Sequence, residues 1–329
     1  MAQDSAPVLV TGAGGFIGGH LVEALVSRGR RVRAFVRYTS RSQGQVLGQL
    51  PERVRAELEV VRGDLRDEDA VARAVRGCQT VFHLGALISI PYSYQHPREV
   101  LETNVLGTLA VLRAVREQGT ERLVHTSSSE VYGSAVRTPM DESHPLQAQS
   151  PYAASKIAAD KLVESYVHAY GLHAVTVRPF NAFGPRQSGR AIIPTVVAQG
   201  LAQRPLHLGN LAPRRDFTFV SDTVEGFLAA AAAPGVAGRV INLGSGRSIS
   251  IAELVAMVGE LIGWPLDVRQ DPSRLRPDSS EVMRLEADNR VARDVLGWQP
   301  SVGLREGLGR TLAWLRANPQ WVSPEHYQI

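Results

Sequence analysis

A doubly wound α/β fold is predicted by three observations. Short apolar runs alternate with segments of helical periodicity along most of the chain. The first run opens into a glycine-rich turn and then a helix pattern, and the chemically distinctive polar residues fall just after the apolar runs. Alternation of this kind builds a parallel sheet covered by helices on both faces, with ligands bound beyond the carboxyl ends of the strands.

Taken in order, Val8–Thr11 reads as the first strand and Gly19–Ser27 as the helix after the turn. Arg31–Val36 and Leu58–Arg62 are the next strands, and Glu68–Arg76 is helical in pattern. Thr80–Leu84 is a strand ending at Gly85-Ala86, and Pro97–Gln118 is a long helix. Arg122–Thr126 is a strand, Tyr152–Tyr170 a second long helix and His173–Arg178 a further strand. Proline and glycine become frequent after Pro179, where the chain is expected to leave the main sheet and build a smaller lobe.

Between the first strand and its helix lies Gly12-Ala13-Gly14-Gly15-Phe16-Ile17-Gly18. Glycines at Gly12, Gly15 and Gly18 let the backbone approach a pyrophosphate, and the helix offers free N–H groups and a positive dipole end. Flanked by strand and helix, this turn predicts a dinucleotide-binding sheet of the Rossmann type. The adenosine ribose is read at the end of the second strand. Arg37 stands there, followed by Ser40 and Arg41, where an acidic residue would have repelled a 2′-phosphate. That favours NADP over NAD, although a solvated basic turn in an arginine-rich chain would contain the same residues.

Composition suits a globular enzyme: 329 residues with 44% hydrophobic content can bury a substantial core. No apolar run is long enough to span a bilayer, and Met1–Ser5 lacks a basic region followed by a hydrophobic one, so a cytoplasmic, membrane-free protein is expected. Cys78 is the single cysteine, which excludes an intrachain disulfide and argues against a metal cluster. The formal charge is +4, but the arginines are dispersed, which suits anionic small molecules at least as well as nucleic acid.

Only two lysines stand against 34 arginines, and one of them completes Tyr152-Ala-Ala-Ser-Lys156. At i and i+4 on a helix the ammonium shares a face with the phenol and favours its ionised form, although a surface Tyr–Lys contact has the same spacing. Just before, Ser127-Ser128-Ser129-Glu130-Val131-Tyr132-Gly133 follows a core strand. A hydroxyl, a carboxylate, a phenol and an ammonium then converge at one sheet edge, a set suited to moving protons and a hydride.

With these motifs the chain resembles the extended short-chain dehydrogenase/reductases that modify nucleotide sugars. Gly12-x-x-Gly15-x-x-Gly18, Gly63-Asp64-Leu65, Thr103-Asn104, Ser128-x-Glu130-Val131-Tyr132-Gly133, Tyr152-x-x-x-Lys156, Arg178-Pro179-Phe180-Asn181 and Gly184-Pro185-Arg186 stand in that family's order. Ala86–Tyr94, Arg186–Thr195 and Arg215-Asp216-Phe217 further resemble the 4,6-dehydratases of bacterial legionaminic acid synthesis, which act on a nucleotide-linked N-acetylglucosamine.

The resemblance implies roles residue by residue. Gly12, Gly15, Phe16, Ile17, Gly18, Arg37, Ser40, Arg41, Asp64, Leu65, Leu84, Ala86, Tyr152 and Lys156 would hold a tightly bound NADP, or NAD, that is regenerated in each turnover. Tyr152 would take the C4 hydroxyl proton while hydride passes from C4 to the cofactor, with Ser128 bonded to that oxygen and Lys156 tuning the phenol. Glu130 would then remove the C5 proton, water would leave from C6, and the hydride would return to C6. Ser89, Ser128, Ser129, Asn181, Arg190, Arg215 and Arg276 are implied substrate contacts, with Asp278 a weaker contact to the nucleoside.

One departure bears on the substrate. The dTDP-glucose 4,6-dehydratases carry an aspartate immediately before the glutamate, where this chain has Ser129. A 4-epimerase would need no base at C5; a UDP-glucuronate decarboxylase carries the same Ser-x-Glu-Val-Tyr-Gly; and a cofactor-sensing module would not need Tyr152 and Lys156. No metal is expected.

The expected organisation is an NAD(P)-binding Rossmann domain of residues 1–178 with about 216–246, and a nucleotide-sugar-binding lobe of about 179–215 and 247–329. Asp222 is expected to cap the helix that follows it. Family members commonly form homodimers by packing the two long helices into a four-helix bundle. Leu109, Leu112, Leu162 and Val163 would serve that interface or the core.

Overall fold

The computed structural model describes residues 6–39 and 46–323. Its strands are β1 (Val8–Thr11), β2 (Val32–Arg37), β3 (Leu58–Gly63), β4 (Thr80–His83), β5 (Arg122–Thr126), β6 (Ala174–Pro179), β7 (Asn181–Phe183), β8 (Leu206–Leu208), β9 (Arg214–Phe219), β10 (Val240–Leu243), β11 (Ser248–Ser250) and β12 (Val268–Gln270). Seven of these form one parallel sheet in the order β10-β6-β5-β4-β1-β2-β3. Val8 pairs with Val32 on one side and Thr80 on the other, so the strand order reverses between β1 and β4. The crevice beyond their carboxyl ends is where such sheets bind ligands.

Both faces of the sheet are covered. Helices Phe16–Ser27 and Val220–Ala232 pack on one side through Leu21, Leu25, Val224 and Phe227. Helices Glu68–Val75, Gly107–Glu117 and Pro151–Tyr170 cover the other through Val71, Val111, Val115 and Val163. A separate apolar cluster gathers β8 and β9 with helices Ile192–Leu201, Ile251–Ile262 and Leu304–Ala317, around Val196, Phe217, Leu254 and Leu308. There β9 pairs antiparallel with β11 and parallel with β7, and β8 pairs with β12. The chain returns to the large sheet through helix Val220–Ala232 and β10.

Three sequence expectations are amended. The helix over 97–118 is α-helical at Pro97–Leu101 and Gly107–Glu117, with a π-helical turn at Glu102–Leu106 between them. Such turns often accompany functional sites, and this one coincides with side-chain anchoring at Asn104. Asp222 caps nothing: its helix begins at Val220, and its carboxylate instead accepts bonds from Ser301 Oγ (2.7 Å) and Val302 N (2.9 Å), tying down the chain before the last helix. Leu112 and Val163 are buried in the chain's own core and unavailable to a partner. The exposed apolar side chains along the first long helix are Leu101 and Leu106.

Candidate active site

Gly12, at the end of β1, has φ +69°, and a Cβ there would lie 2.8 Å from Gly85 N. A Cβ on Gly18 would lie 2.2 Å from Gly12 O. Both positions require glycine, and together they bring the turn against the loop after β4 while the helix from Phe16 points its N–H groups at the crevice. Thr11 Oγ1 accepts from Gly85 N (3.0 Å) and bonds His83 Nδ1 (2.8 Å), locking β1 to β4 at the switch point.

That loop, which carries Leu84 and Ala86, is clamped by a residue whose role the sequence did not reveal. Asn104 accepts from Leu87 N (2.8 Å) and donates to Leu87 O (2.9 Å) and Ser155 Oγ (2.9 Å). One buried amide thereby ties the loop to the helix that carries Tyr152 and Lys156. Ser89 caps helix Ile90–Gln95 by accepting from Tyr92 N at 3.3 Å.

At the end of β2, Arg37 is 43% exposed and shared between two carboxylates, with Nη2 3.2 Å from Glu99 and Nε 3.8 Å from Asp64. Asp64, just past β3, is gripped by Arg66 through Nε (2.9 Å) and Nη2 (2.8 Å), which holds its carboxyl below the usual range. Leu65 is buried beside it. Glu99 also accepts from Tyr92 Oη at 2.5 Å. Ser40 and Arg41 lie outside the described residues, as does the side chain of Asp278. Glycine cradle, helix N-terminus and a cationic residue at the β2 end are the donor set a dinucleotide needs.

The chemistry-bearing groups meet beyond β5. Ser128 begins the turn Ser129–Tyr132, accepting from Glu130 N at 3.2 Å, and its hydroxyl lies near enough to the Tyr152 phenol to favour the ionised form. Ser150 caps the helix Pro151–Tyr170 by accepting from Ala153 N at 3.1 Å, so that Tyr152 and Lys156 emerge in its first two turns. Tyr152 and Lys156 are 7% and 4% exposed. Burial pushes the phenol up to about 12; the Ser128 hydroxyl opposes this, while the Glu130 and Asp160 carboxylates add to it. Burial brings the Lys156 ammonium down to about 8 against the pull of Asp160. Lys156 Nζ donates to Thr126 O at 2.6 Å. In the protein alone, desolvation is the largest influence on the phenol.

Ser129 is buried. Arg215, on β9, is 7% exposed and lies where it senses the Glu130 charge. Arg215 and Arg276 converge on Glu281 at 3.4 and 3.7 Å. Asn181 Oδ1 is buried without a hydrogen-bond partner, an arrangement that costs free energy. Arg190 is exposed, close enough to Tyr92 for its charge to favour that phenol's ionised form.

The match to the GDP-mannose 4,6 dehydratase family model extends over residues 9–311. The chain belongs to that family. Within it, the chain is 34% identical over 318 residues to a UDP-glucose 4-epimerase of Mycolicibacterium smegmatis, covering 95% of this chain and 99% of the relative. It is 33% identical over 337 residues to a dTDP-glucose 4,6-dehydratase of Xanthomonas campestris pv. campestris, covering 95% and 94%. The fold is similar to a crystal structure of a double mutant of DesIV, a dTDP-glucose 4,6-dehydratase from Streptomyces venezuelae with NAD and DAU bound. The TM-score is 0.87 at 30% identity, with 96% of this chain and 99% of that one covered. The protein is accordingly an enzyme of the NAD(P)-dependent nucleotide-sugar dehydratase and epimerase family. No helix among the described residues is long and apolar enough to cross a membrane, and no group of three or more His, Cys, Asp or Glu among them is placed to hold a metal ion.

The contacts made by other motif residues were likewise not legible in the sequence. Arg186, of Gly184-Pro185-Arg186, donates to Glu23 (2.5 Å) and His20 Nδ1 (2.8 Å), and His20 Nε2 donates to Pro185 O (2.9 Å). A carbonyl can only accept and a guanidinium only donate, so the His20 ring is neutral with its proton on Nε2. Burial and then Arg186 lower its pKa to about 4. Asp160 was also missed, although its spacing of four from Lys156 and eight from Tyr152 placed it on the same helix face.

Proposed function

We propose that this enzyme is a nucleotide-sugar 4,6-dehydratase that converts a nucleoside-diphosphate N-acetylglucosamine to its 4-keto-6-deoxy sugar. The observation that carries the reading is Glu130. It lies on the turn after Ser128, and its charge acts on both the Tyr152 phenol and the Arg215 guanidinium. A 4-epimerase has no use for a base there. Ser129 in place of an aspartate argues against dTDP-glucose as the substrate.

In this reading Arg215 and Arg276 exchange Glu281 for the diphosphate, whose oxygens suit guanidinium forks. Asn181 Oδ1, buried without a partner, accepts from a sugar hydroxyl, and Ser89 and Arg190 border the sugar. Bound oxidised nicotinamide supplies a positive charge beside the phenol and an acceptor for the C4 hydride that is later returned to C6. Tyr152 takes the C4 hydroxyl proton while Ser128 holds the oxygen. The new ketone acidifies C5, Glu130 removes that proton, and water leaves from C6; the hydride then adds at C6 while C5 takes a proton from solvent. With Ser129 where an aspartate would act as general acid, either Glu130 also delivers the proton to the departing hydroxyl or a bound water helps.

Mass spectrometry of purified enzyme with UDP-N-acetylglucosamine, GDP-N-acetylglucosamine, GDP-mannose, UDP-glucose and UDP-glucuronate, without added reductant, tests the proposal. Loss of one water from an N-acetylglucosamine nucleotide is expected. An unchanged mass with altered sugar configuration would establish the epimerase, and loss of carbon dioxide the decarboxylase.

For the cofactor, Arg37 supports NADP, whereas the related DesIV structure holds NAD. We expect NADP to bind about tenfold more tightly than NAD, and Arg37→Ala to abolish the difference, since one charge-assisted contact contributes about 1.5–3 kcal/mol. Equal binding of the two by the wild type, measured by calorimetry, would remove that preference. Leu101 and Leu106, exposed on the first long helix, are compatible with a homodimer through a four-helix bundle.

A further inference from the structure

We infer that Asp160 is a positioning residue of the reaction: clamped beneath the site by Ser127, His125 and Arg178, its carboxylate holds Lys156 in the ammonium form. The inference rests on the reading of Tyr152 and Lys156 as the hydride-transfer pair, and goes beyond it by assigning what keeps the second member charged.

Asp160 follows Lys156 by four residues on helix Pro151–Tyr170, which brings the two side chains to one face. It is buried, and every neighbour offers it a donor. Oδ1 lies 3.2 Å from His125 Nε2, while Oδ2 accepts from Ser127 Oγ (2.7 Å) and from Arg178 Nη2 (2.9 Å) and Nε (3.3 Å). An ionised carboxylate only accepts, so this surrounding demands the anion; an amide would turn an NH₂ group toward a donor. Burial raises the Asp160 pKa, but His125, Arg178 and Lys156 more than offset that and hold the carboxyl below its usual range.

The charges around Lys156 are few. On its own helix stand Asp160 and, one turn earlier, Tyr152, whose phenol burial keeps protonated. From β5 comes His125, and from β4 His83, whose ring is 5.7 Å from that of His125; burial lowers both imidazoles, so both are neutral near pH 7. From β6 comes Arg178, a cation, which also donates to Tyr132 Oη at 3.0 Å. Tyr132 is kept protonated by its burial. Asp160 is thus the anion of this cluster. Burial already weakens the ammonium, and Asp160 supplies the opposing attraction. Without it, Lys156 would face a guanidinium and neutral groups in a low-dielectric site.

The chain's two lysines make a direct test possible. Protein labelled with ¹³C at lysine Cε gives two resonances, Lys156 and the exposed Lys161, and each can be titrated without substrate. Asp160→Asn is expected to lower the Lys156 midpoint by about one pH unit or more. Asp160→Glu, which keeps the charge, is expected to leave the midpoint near the wild-type value. The alkaline limb of kcat/KM should move to lower pH with the Asn variant, because turnover needs the charged lysine. An unchanged Lys156 midpoint overturns the inference, even if activity falls uniformly across pH, since that would mark a purely structural role. Asp160→Asn strands a buried guanidinium; if it fails to fold, Arg178→Gln is compared with the Arg178→Gln/Asp160→Asn double variant, and the second change must lower the midpoint by the same amount or the inference fails. The titration does not depend on which sugar is turned over, so a wrong functional reading would leave it intact.

Discussion

Glu130→Gln is expected to leave C4 oxidation running and to stop the elimination. The carboxamide preserves the size of the side chain and the bond from Glu130 N to Ser128, but it cannot accept a proton from C5. Loss of a positioned general base removes roughly 10²–10⁴ from the rate of the step it serves. Water loss measured by mass spectrometry should fall by about 10³-fold. Solvent deuterium should no longer enter C5, while nicotinamide absorbance still responds to added sugar nucleotide. Normal product formation by this variant would take Glu130 out of the mechanism, and with it the main argument for dehydration over epimerisation. Loss of the absorbance response as well would instead place Glu130 in substrate binding, alongside Arg215.

Lys156→Met should abolish turnover and change how stability depends on pH. The folded protein holds this ammonium at about 8 against an ordinary value of 10.5, chiefly through burial. Between those values the unfolded chain binds a proton that the folded chain has released, so this lysine makes wild-type stability rise with pH across that window. Below it the cost is constant and amounts to about 3 kcal/mol. The variant has no such group. Its stability relative to wild type should therefore be greatest near about pH 7 and decline by about 2–3 kcal/mol toward about pH 10. Thr126 O loses its donor in the variant, an offset that does not vary with pH and leaves the slope intact. Chemical denaturation at several pH values reads this slope. A stability difference that stays flat with pH would mean that Lys156 is not a strained buried cation.

The large sheet was legible because its signals are local. Each strand is a short apolar run, the first turn needs glycine at Gly12 and Gly18 for reasons of space, and Tyr152 and Lys156 sit one helical turn apart. Contacts made by residues distant in sequence were not legible. Asn104 reaches Leu87 and Ser155 across 17 and 51 positions, and Asp222 reaches Ser301 across 79. The first required a π-helical turn that periodicity does not reveal; the second made an apparent helix cap into a tertiary anchor. The sequence also conveyed the type of each candidate catalytic residue but not its electrostatic state. Spacing suggested that Lys156 would activate the phenol, whereas burial dominates both groups, and burial is a property of the completed core.

The latch made by His20, Glu23, Pro185 and Arg186 joins the cofactor-cradle helix to the segment that leads into the small sheets. Residues 165 positions apart are thus fastened together against the helix that begins at the glycine turn. Under the proposed internal return of the hydride, flux would follow the supply of sugar nucleotide and be insulated from the cell's ratio of reduced to oxidised nicotinamide.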